Sequence, residues 1–240
     1  MQTIKKKAYA AKHQPEQEIV TLANLVSNVV AANRHTVTIV VAAIAAVLLV
    51  IAGISFKRSF DEQKAAPLFE AAYSQYSART GSAPDLGKAY MLFRDIHSKY
   101  PSSLSGRMAA LYAASCLAGL GRTDEAIKEF QSFVQEYGSD TLMTGLAYQR
   151  MGYLYSGLGN KAEAIKAFEQ ADSRIGPGIA TVELARLYEA SGNSAESLKK
   201  YKQVVDKLPG STWAMEAIGK VQKIQPGAAA SAKSPGENAK

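Results

Sequence analysis

Three hydrophobic patterns follow one another along the chain. Residues 15–33 carry Ile19, Leu22, Val26, Val29 and Val30 at three- and four-residue spacing, and Pro15, Glu16 and Glu18 suit the first turn of a helix. The next stretch, residues 36–56, has no charged side chain and is apolar around its whole circumference. At 1.5 Å per helical residue, these 21 residues cover the roughly 30 Å hydrocarbon core of a bilayer. From about residue 66 the pattern shortens to amphipathic segments joined by turns containing glycine and asparagine, which predicts helix-turn-helix units.

Three of these units superimpose without gaps, starting at Arg107, Gly145 and Gly178, so the starts lie 38 and 33 residues apart. Ala114, Gly152 and Ala185 on the first helices are matched by Ala126, Ala164 and Ser197 on the second helices, and small side chains at both places let the backbones approach closely. Leu117, Tyr155 and Tyr188, with Phe130, Phe168 and Tyr201, fill the space between neighbouring helices. Gly121, Gly159 and Gly192 fall where each first helix must end, a place that favours the left-handed conformation. Asn160 with Glu163, and Asn193 with Glu196, repeat an Asn-x-x-Glu pattern that resembles a capping box. A degenerate unit precedes them, with a first helix over 67–77, a loop over 80–87 and a second helix over 88–100, where Ala89 and Phe93 take the small and aromatic positions. A helix over 212–224 caps the other end, and the Pro/Ala/Gly/Ser composition beyond Pro226 predicts a disordered tail. The expected fold class is all-α: an N-terminal transmembrane helix followed by an α-solenoid of about four helix-turn-helix units and a capping helix.

Composition adjusts this picture in three ways. The hydrophobic fraction of 47% in 240 residues is partly concentrated in the apolar run, so the soluble part is smaller than the length implies. The formal charge of +7 is spread among acidic residues from Lys57 onward without a basic stripe, which argues against nucleic-acid binding. Lys5, Lys6, Lys7, Lys12 and Arg34 precede the run and Lys57, Arg58 and Lys64 follow it. That bias favours an N-terminus in the cytoplasm and a C-terminal domain outside, periplasmic in a bacterium. The exit from the run lacks a small-residue cleavage site, so an uncleaved signal anchor is expected. The expected organisation is a cytoplasmic basic segment with an amphipathic helix over 1–35, a span over 36–56, a juxtamembrane linker over 57–65, the repeat domain over 66–224 and the tail over 225–240. The amphipathic helix could lie on the membrane surface, extend the span or dock a cytoplasmic partner.

Candidate chemistry is sparse. A single cysteine, Cys116, forms no intramolecular disulfide and lies too far downstream to carry a lipid, so it reads as a small buried hydrophobe. His13, His35 and His97 are far apart in sequence and make no metal-ligand spacing. Neither a phosphate-cradling glycine loop nor a nucleophile elbow is present, so neither a cofactor nor an enzymatic activity is expected.

The matched glycine, alanine and aromatic positions resemble the tetratricopeptide superfamily over residues 66–224, best in the unit starting at Gly145. The wider arrangement, a short cytoplasmic segment, one anchor helix and a degenerate first unit followed by Tyr100, Pro101, Ser102 and Ser103, resembles the YfgM-like family of inner-membrane proteins. That resemblance implies an ancillary subunit of the Sec translocon working beside periplasmic chaperones. The repeats also resemble those of Tol-Pal-associated and outer-membrane-assembly proteins, which use a cleaved signal or a lipid anchor. By alignment, the groove of the first helices is lined by Met108, Leu111 and Ser115, by Leu146, Gln149 and Tyr153, and by Ile179, Val182, Arg186 and Glu189. Its mixed, partly apolar character suits an extended or unfolded polypeptide segment better than a strongly acidic C-terminal tail, with Tyr153 as the leading anchor, and the resemblance implies translocon subunits, periplasmic chaperones or unfolded secreted chains as the partners. The second reading is an envelope-organising scaffold, of the cell-division, Tol-Pal or outer-membrane-assembly type, that dimerises through the repeat domain and links the membrane to peptidoglycan or division proteins.

Overall fold

The computed structural model describes residue 31, residues 33–77 and residues 83–225. The amphipathic segment expected over 15–33, apart from residues 31 and 33, the basic N-terminus, the first part of the loop expected over 80–87 and the tail after residue 225 lie outside the described residues. Among those described, the regular structure is entirely helical: α1 (Arg34–Ser77), α2 (Leu86–Lys99), α3 (Leu104–Gly119), α4 (Thr123–Glu136), α5 (Thr141–Gly157), α6 (Lys161–Ile175), α7 (Ile179–Ala190), α8 (Ser194–Lys207) and α9 (Thr212–Ile224). The chain divides into two compact units, Met1–Lys57 and Arg58–Lys240.

In the first unit the apolar part of α1 is exposed along its length, including Val41, Leu49 and Val50. The helix is long and apolar enough to cross a membrane. A core helix of a soluble protein would bury such residues, and this one buries none of them.

In the second unit the core is a chain of small clusters, each shared by neighbouring helices, as expected of a solenoid. Ala65, Phe69 and Ala72 of α1 pack with Ala89, Phe93 and Ile96 of α2 and Ala109, Ala113 and Cys116 of α3. Pro67 lies inside α1 rather than opening a separate helix as expected. Burial of Ala65 and Phe69 fixes the segment on either side of it, and Gln63, whose carbonyl loses its i+4 donor, faces solvent. Glu62 accepts bonds from the Ser105 backbone N–H at 2.9 Å and hydroxyl at 2.6 Å, which joins α1 to the first turn of α3. Leu117, Phe130, Phe133, Met143 and Met151 unite α3, α4 and α5. Phe168, Ala171, Ala180 and Leu184 join α6 to α7, and Val182, Ala185, Tyr201, Val204 and Ala217 bring α8 and α9 onto α7.

The turns repeat as closely as the cores. Gly121, Gly159 and Gly192 have φ of +75°, +73° and +77°. The following residues, Arg122, Asn160 and Asn193, each donate a backbone bond of 2.9 Å to Leu117, Tyr155 and Tyr188 respectively. This six-to-one bond around a left-handed glycine satisfies a helix-end carbonyl in all three units. Asn160 and Asn193 accept from the backbone N–H of Glu163 and Glu196, as the expected cap requires. The reciprocal half of the box is replaced: Glu163 pairs with Lys166 and Glu196 with Lys199 instead.

Candidate protein-binding groove

Helix α3 touches α5, and α7 touches the capping helix α9, so the outward residues of each pair stand side by side. On α5 the residues expected from the sequence stand together. Leu146 is 36% and Tyr153 38% exposed, with Gln149 half-buried between them, all on one helical face. The Tyr153 ring meets Phe168 edge-on at 5.1 Å, and Phe168 is itself buried against the backbone of Gly152. Tyr153 is therefore an aromatic of fixed orientation with one open side. Burial, and then the nearby Glu183 carboxylate, hold its hydroxyl above the ordinary tyrosine pKa, so it stays a neutral donor.

On α3, Met108 is half-buried against the core, and the Ser115 hydroxyl donates back to Leu111 O at 3.0 Å. Leu111 and Val182 do not line the groove as expected. Leu111 sits in the core shared with Met143 and Ala147, and Val182, fully buried, packs with Tyr201 and Ala217. They occupy the position that Gln149 holds on α5, at the boundary between units, where an apolar side chain is drawn into the neighbouring core.

Arg186 and Glu189 are present on α7, but both are engaged within the chain. Arg186 donates to both carboxylate oxygens of Glu216 at 2.8 and 2.5 Å and to Glu183 at 2.8 Å. Glu189 accepts from Lys220 at 2.7 Å and from the Tyr201 hydroxyl at 3.2 Å. The bond from Arg186 depresses the Glu216 pKa and the bond from Lys220 depresses that of Glu189, while Glu216 raises that of Arg186. These residues clamp α9 onto α7.

A feature absent from the expected set lies on α1 and α3. Tyr112 of α3 stands among Phe69, Tyr73 and Tyr76 of α1, with ring centroids at 5.6, 5.4 and 5.2 Å and near-perpendicular planes. Phe93 of α2 supports the group at 5.5 Å from Tyr112. The three tyrosines are half-buried. Tyr73 follows Ala72 as Tyr153 follows Gly152, so aligning the degenerate first helix on its small residue would have revealed it. Arg150, exposed on α5 one turn before Tyr153, lies close enough to Tyr76, Tyr112 and Tyr153 to act on all three hydroxyls.

The described residues hold no cluster of three or more histidine, cysteine or acidic side chains that could ligate a metal. Burial pushes the Cys116 thiol up to about 12, which keeps it protonated and unreactive. A depression of about 480 Å³ between α4, α5 and α6, lined by Gln131, Val134, Tyr148, Met151 and Tyr155, includes none of the expected groove residues.

Residues 32–212 match the family described as tetratricopeptide repeat-like domain. Among solved structures, a tetratricopeptide repeat protein from Parabacteroides merdae is similar at 16% identity and a TM-score of 0.53, covering 68% of this chain and 61% of that one. This chain thus spans less than two thirds of that protein's length. The MamA protein from Desulfovibrio magneticus RS-1 is similar at 17% identity and a TM-score of 0.46, covering 59% of this chain and 74% of that one. At these identities the likeness concerns the fold. No curated protein sequence matches the chain.

Proposed function

The chain belongs to the tetratricopeptide repeat-like family, and from that premise we propose that it is a membrane-tethered protein-binding adaptor ancillary to protein export. Repeats of this kind are protein-binding scaffolds, and the observation that carries the reading here is the row Leu146, Gln149 and Tyr153: an aromatic of fixed orientation beside a half-buried polar and an exposed apolar side chain. A rigid amphipathic ring loses little entropy when a partner covers it, which makes Tyr153 the anchor of the groove. Met108, Ser115 and the outer edge of Arg186 and Glu189 border the same row.

In this reading residues 36–56 cross the inner membrane once, residues 1–35 face the cytoplasm, and the repeat domain over 66–224 works in the periplasm. The exposed apolar length of α1 and the excess of lysine and arginine before it support that orientation. The resemblance to the YfgM-like family supports translocon subunits, periplasmic chaperones or unfolded secreted chains as partners. An envelope-organising scaffold that dimerises through its repeats is the competing reading, favoured by a homodimer that persists without export partners.

The test is capture of the translocon and chaperones by the full-length protein with Gln149→Ala and Tyr153→Ala combined. The expected result is reduced capture with an unchanged helical circular dichroism spectrum. Undiminished capture by the double variant would remove the groove from the account.

A further inference from the structure

The junctions between successive second helices are filled differently. Aligned on the small and aromatic positions, Arg94, Gln131 and Glu169 correspond on the preceding second helix, with His97, Val134 and Asp172 one turn further on, and Glu129, Ala167 and Lys200 correspond on the following one. Between α2 and α4 the gap is bridged by Arg94 and Glu129 at 2.8 Å. Between α6 and α8 it is bridged by Lys200 and Asp172 at 2.7 Å, and Asp172 also accepts from the buried Thr181 hydroxyl. Between α4 and α6, Ala167 stands where the other junctions carry Glu129 or Lys200, and neither it nor Gln131 can form an ion pair. The space left at the first junction is about 180 Å³, whereas the middle one opens into the depression of about 480 Å³.

The walls of this depression are fixed and carry no free charge. Tyr148, Met151 and Tyr155 share one face of α5, roughly 150° around the helix from Leu146, Gln149 and Tyr153 at 3.6 residues per turn. The Arg174 guanidinium stands over the Tyr148 ring at 5.2 Å, and the Tyr155 hydroxyl accepts from Gln131 Nε2 at 3.3 Å, so both tyrosines are held from the second helices. Met151 lies buried between them. Seven residues of helix set the two tyrosines about 10.5 Å apart along the axis, so one aromatic ring between them would meet each at about 5 Å, within the range that aromatic pairs favour. The Met151 thioether below adds a favourable sulfur contact. The charged lining residues, Glu163 and Lys166, pair with each other at 2.7 Å, which leaves no counter-charge for an ionic ligand. Gln135 and Gln170 are exposed at the rim and make no side-chain hydrogen bond among the described residues. Each amide offers a donor and an acceptor, the pair that a polypeptide backbone presents on either side of an inserted side chain. We propose that this depression is a further docking site, taking one aromatic side chain from an uncharged segment of a partner polypeptide. It lies on the face of α5 opposite Tyr153, so it goes beyond the groove reading and is filled independently of it.

The test uses the full-length protein in lipid nanodiscs and a glycine-serine decapeptide with one central fluorotryptophan, titrated by fluorine NMR with empty nanodiscs as the blank. Gln131→Arg combined with Ala167→Glu copies the bridge of Arg94 and Glu129 into the middle junction, and should weaken binding about tenfold with an unchanged circular dichroism spectrum. Gln135→Ala combined with Gln170→Ala, both at exposed positions, should weaken it about threefold to tenfold. Gln149→Ala combined with Tyr153→Ala should leave it unchanged. An unlabelled tryptophan peptide should displace the probe, and its leucine counterpart should need about tenfold more. Binding by the bridged variant equal to that of the parent protein would overturn the site, and if that variant loses helicity the glutamine variant decides in the same way. Loss of binding in the Gln149 and Tyr153 variant would also overturn it, by moving the occupant to the groove. Equal displacement by the leucine peptide, displacement by cellobiose, or no binding above the blank would do the same. Failure of the groove reading is seen separately, in capture by the Gln149 and Tyr153 double variant, because neither of those residues lines the depression.

Discussion

Three glycines carry different burdens, and the differences can be ranked. A Cβ at Gly106 would lie 1.8 Å from the Tyr100 carbonyl oxygen, a backbone atom that cannot swing aside. At Gly152 it would lie 2.8 Å from the Phe168 ring, which is held in the core but is a side chain. At Gly159 nothing lies within 4 Å, and only the positive φ opposes substitution. Gly106→Ala should therefore cost most, at the upper end of the about 1–3 kcal/mol typical of overpacking. Gly152→Ala should fall below it, and Gly159→Ala should cost about 1 kcal/mol for the left-handed backbone. Urea unfolding followed by circular dichroism checks the order, and a Gly159→Ala loss larger than that of Gly106→Ala would contradict it. Gly152 and Gly159 were legible in the sequence because each has counterparts at matched positions. Gly106 was not, since its constraint comes from the turn that brings Tyr100 back over the start of α3. Leu111 and Val182 were misread for a related reason: periodicity gives them the position of Gln149, but whether a boundary residue turns inward depends on its own polarity.

Among the elements, α9 has the plainest conditional stability. It is held by Trp213, Ala217 and Val221 in the last core cluster and by the bonds of Arg186 to Glu216 and Lys220 to Glu189. Both glutamate pKa values are depressed on folding, so their stabilisation is present above the ordinary glutamate pKa of about 4.3 and is lost as pH falls through the folded values. Trp213 is the single tryptophan of the chain and stands in α9, so its fluorescence reports this helix. The expected outcome is a loss of the native Trp213 signal below about pH 4, ahead of the loss of total helicity, and a smaller acid response in Glu216→Gln. Simultaneous loss of both signals would mean that α9 does not act as a separate acid-sensitive cap. The bounds of α9 were legible from its amphipathic spacing, whereas the ion pairs were not, because they join residues about thirty positions apart that only the packing of α7 on α9 brings together. Pro67 shows the opposite failure. Proline suits a first turn, so the sequence favoured a new helix there, and burial on both sides of it kept one helix instead.

For the whole molecule, the repeat architecture was legible because each unit spells out the same small, aromatic and glycine positions, while its function depends on side chains that the repeat leaves free. Orientation is open to a direct check. Cys116 is fully buried, so Lys207→Cys supplies an accessible thiol on α8 with little background from the native cysteine. A membrane-impermeant maleimide should label that variant in intact spheroplasts; labelling only after lysis would place the repeat domain on the cytoplasmic side. The central claim, that the first-helix row binds partners in protein export, is tested most directly by a photo-crosslinking amino acid in place of Tyr153 in living cells, with the exposed Lys202 of α8 as the control position. Adducts at position 153 with translocon subunits, periplasmic chaperones or secreted chains, absent at position 202, are the predicted result. Adducts only with division, Tol-Pal or cytoplasmic proteins, or the same adducts from both positions, would contradict it.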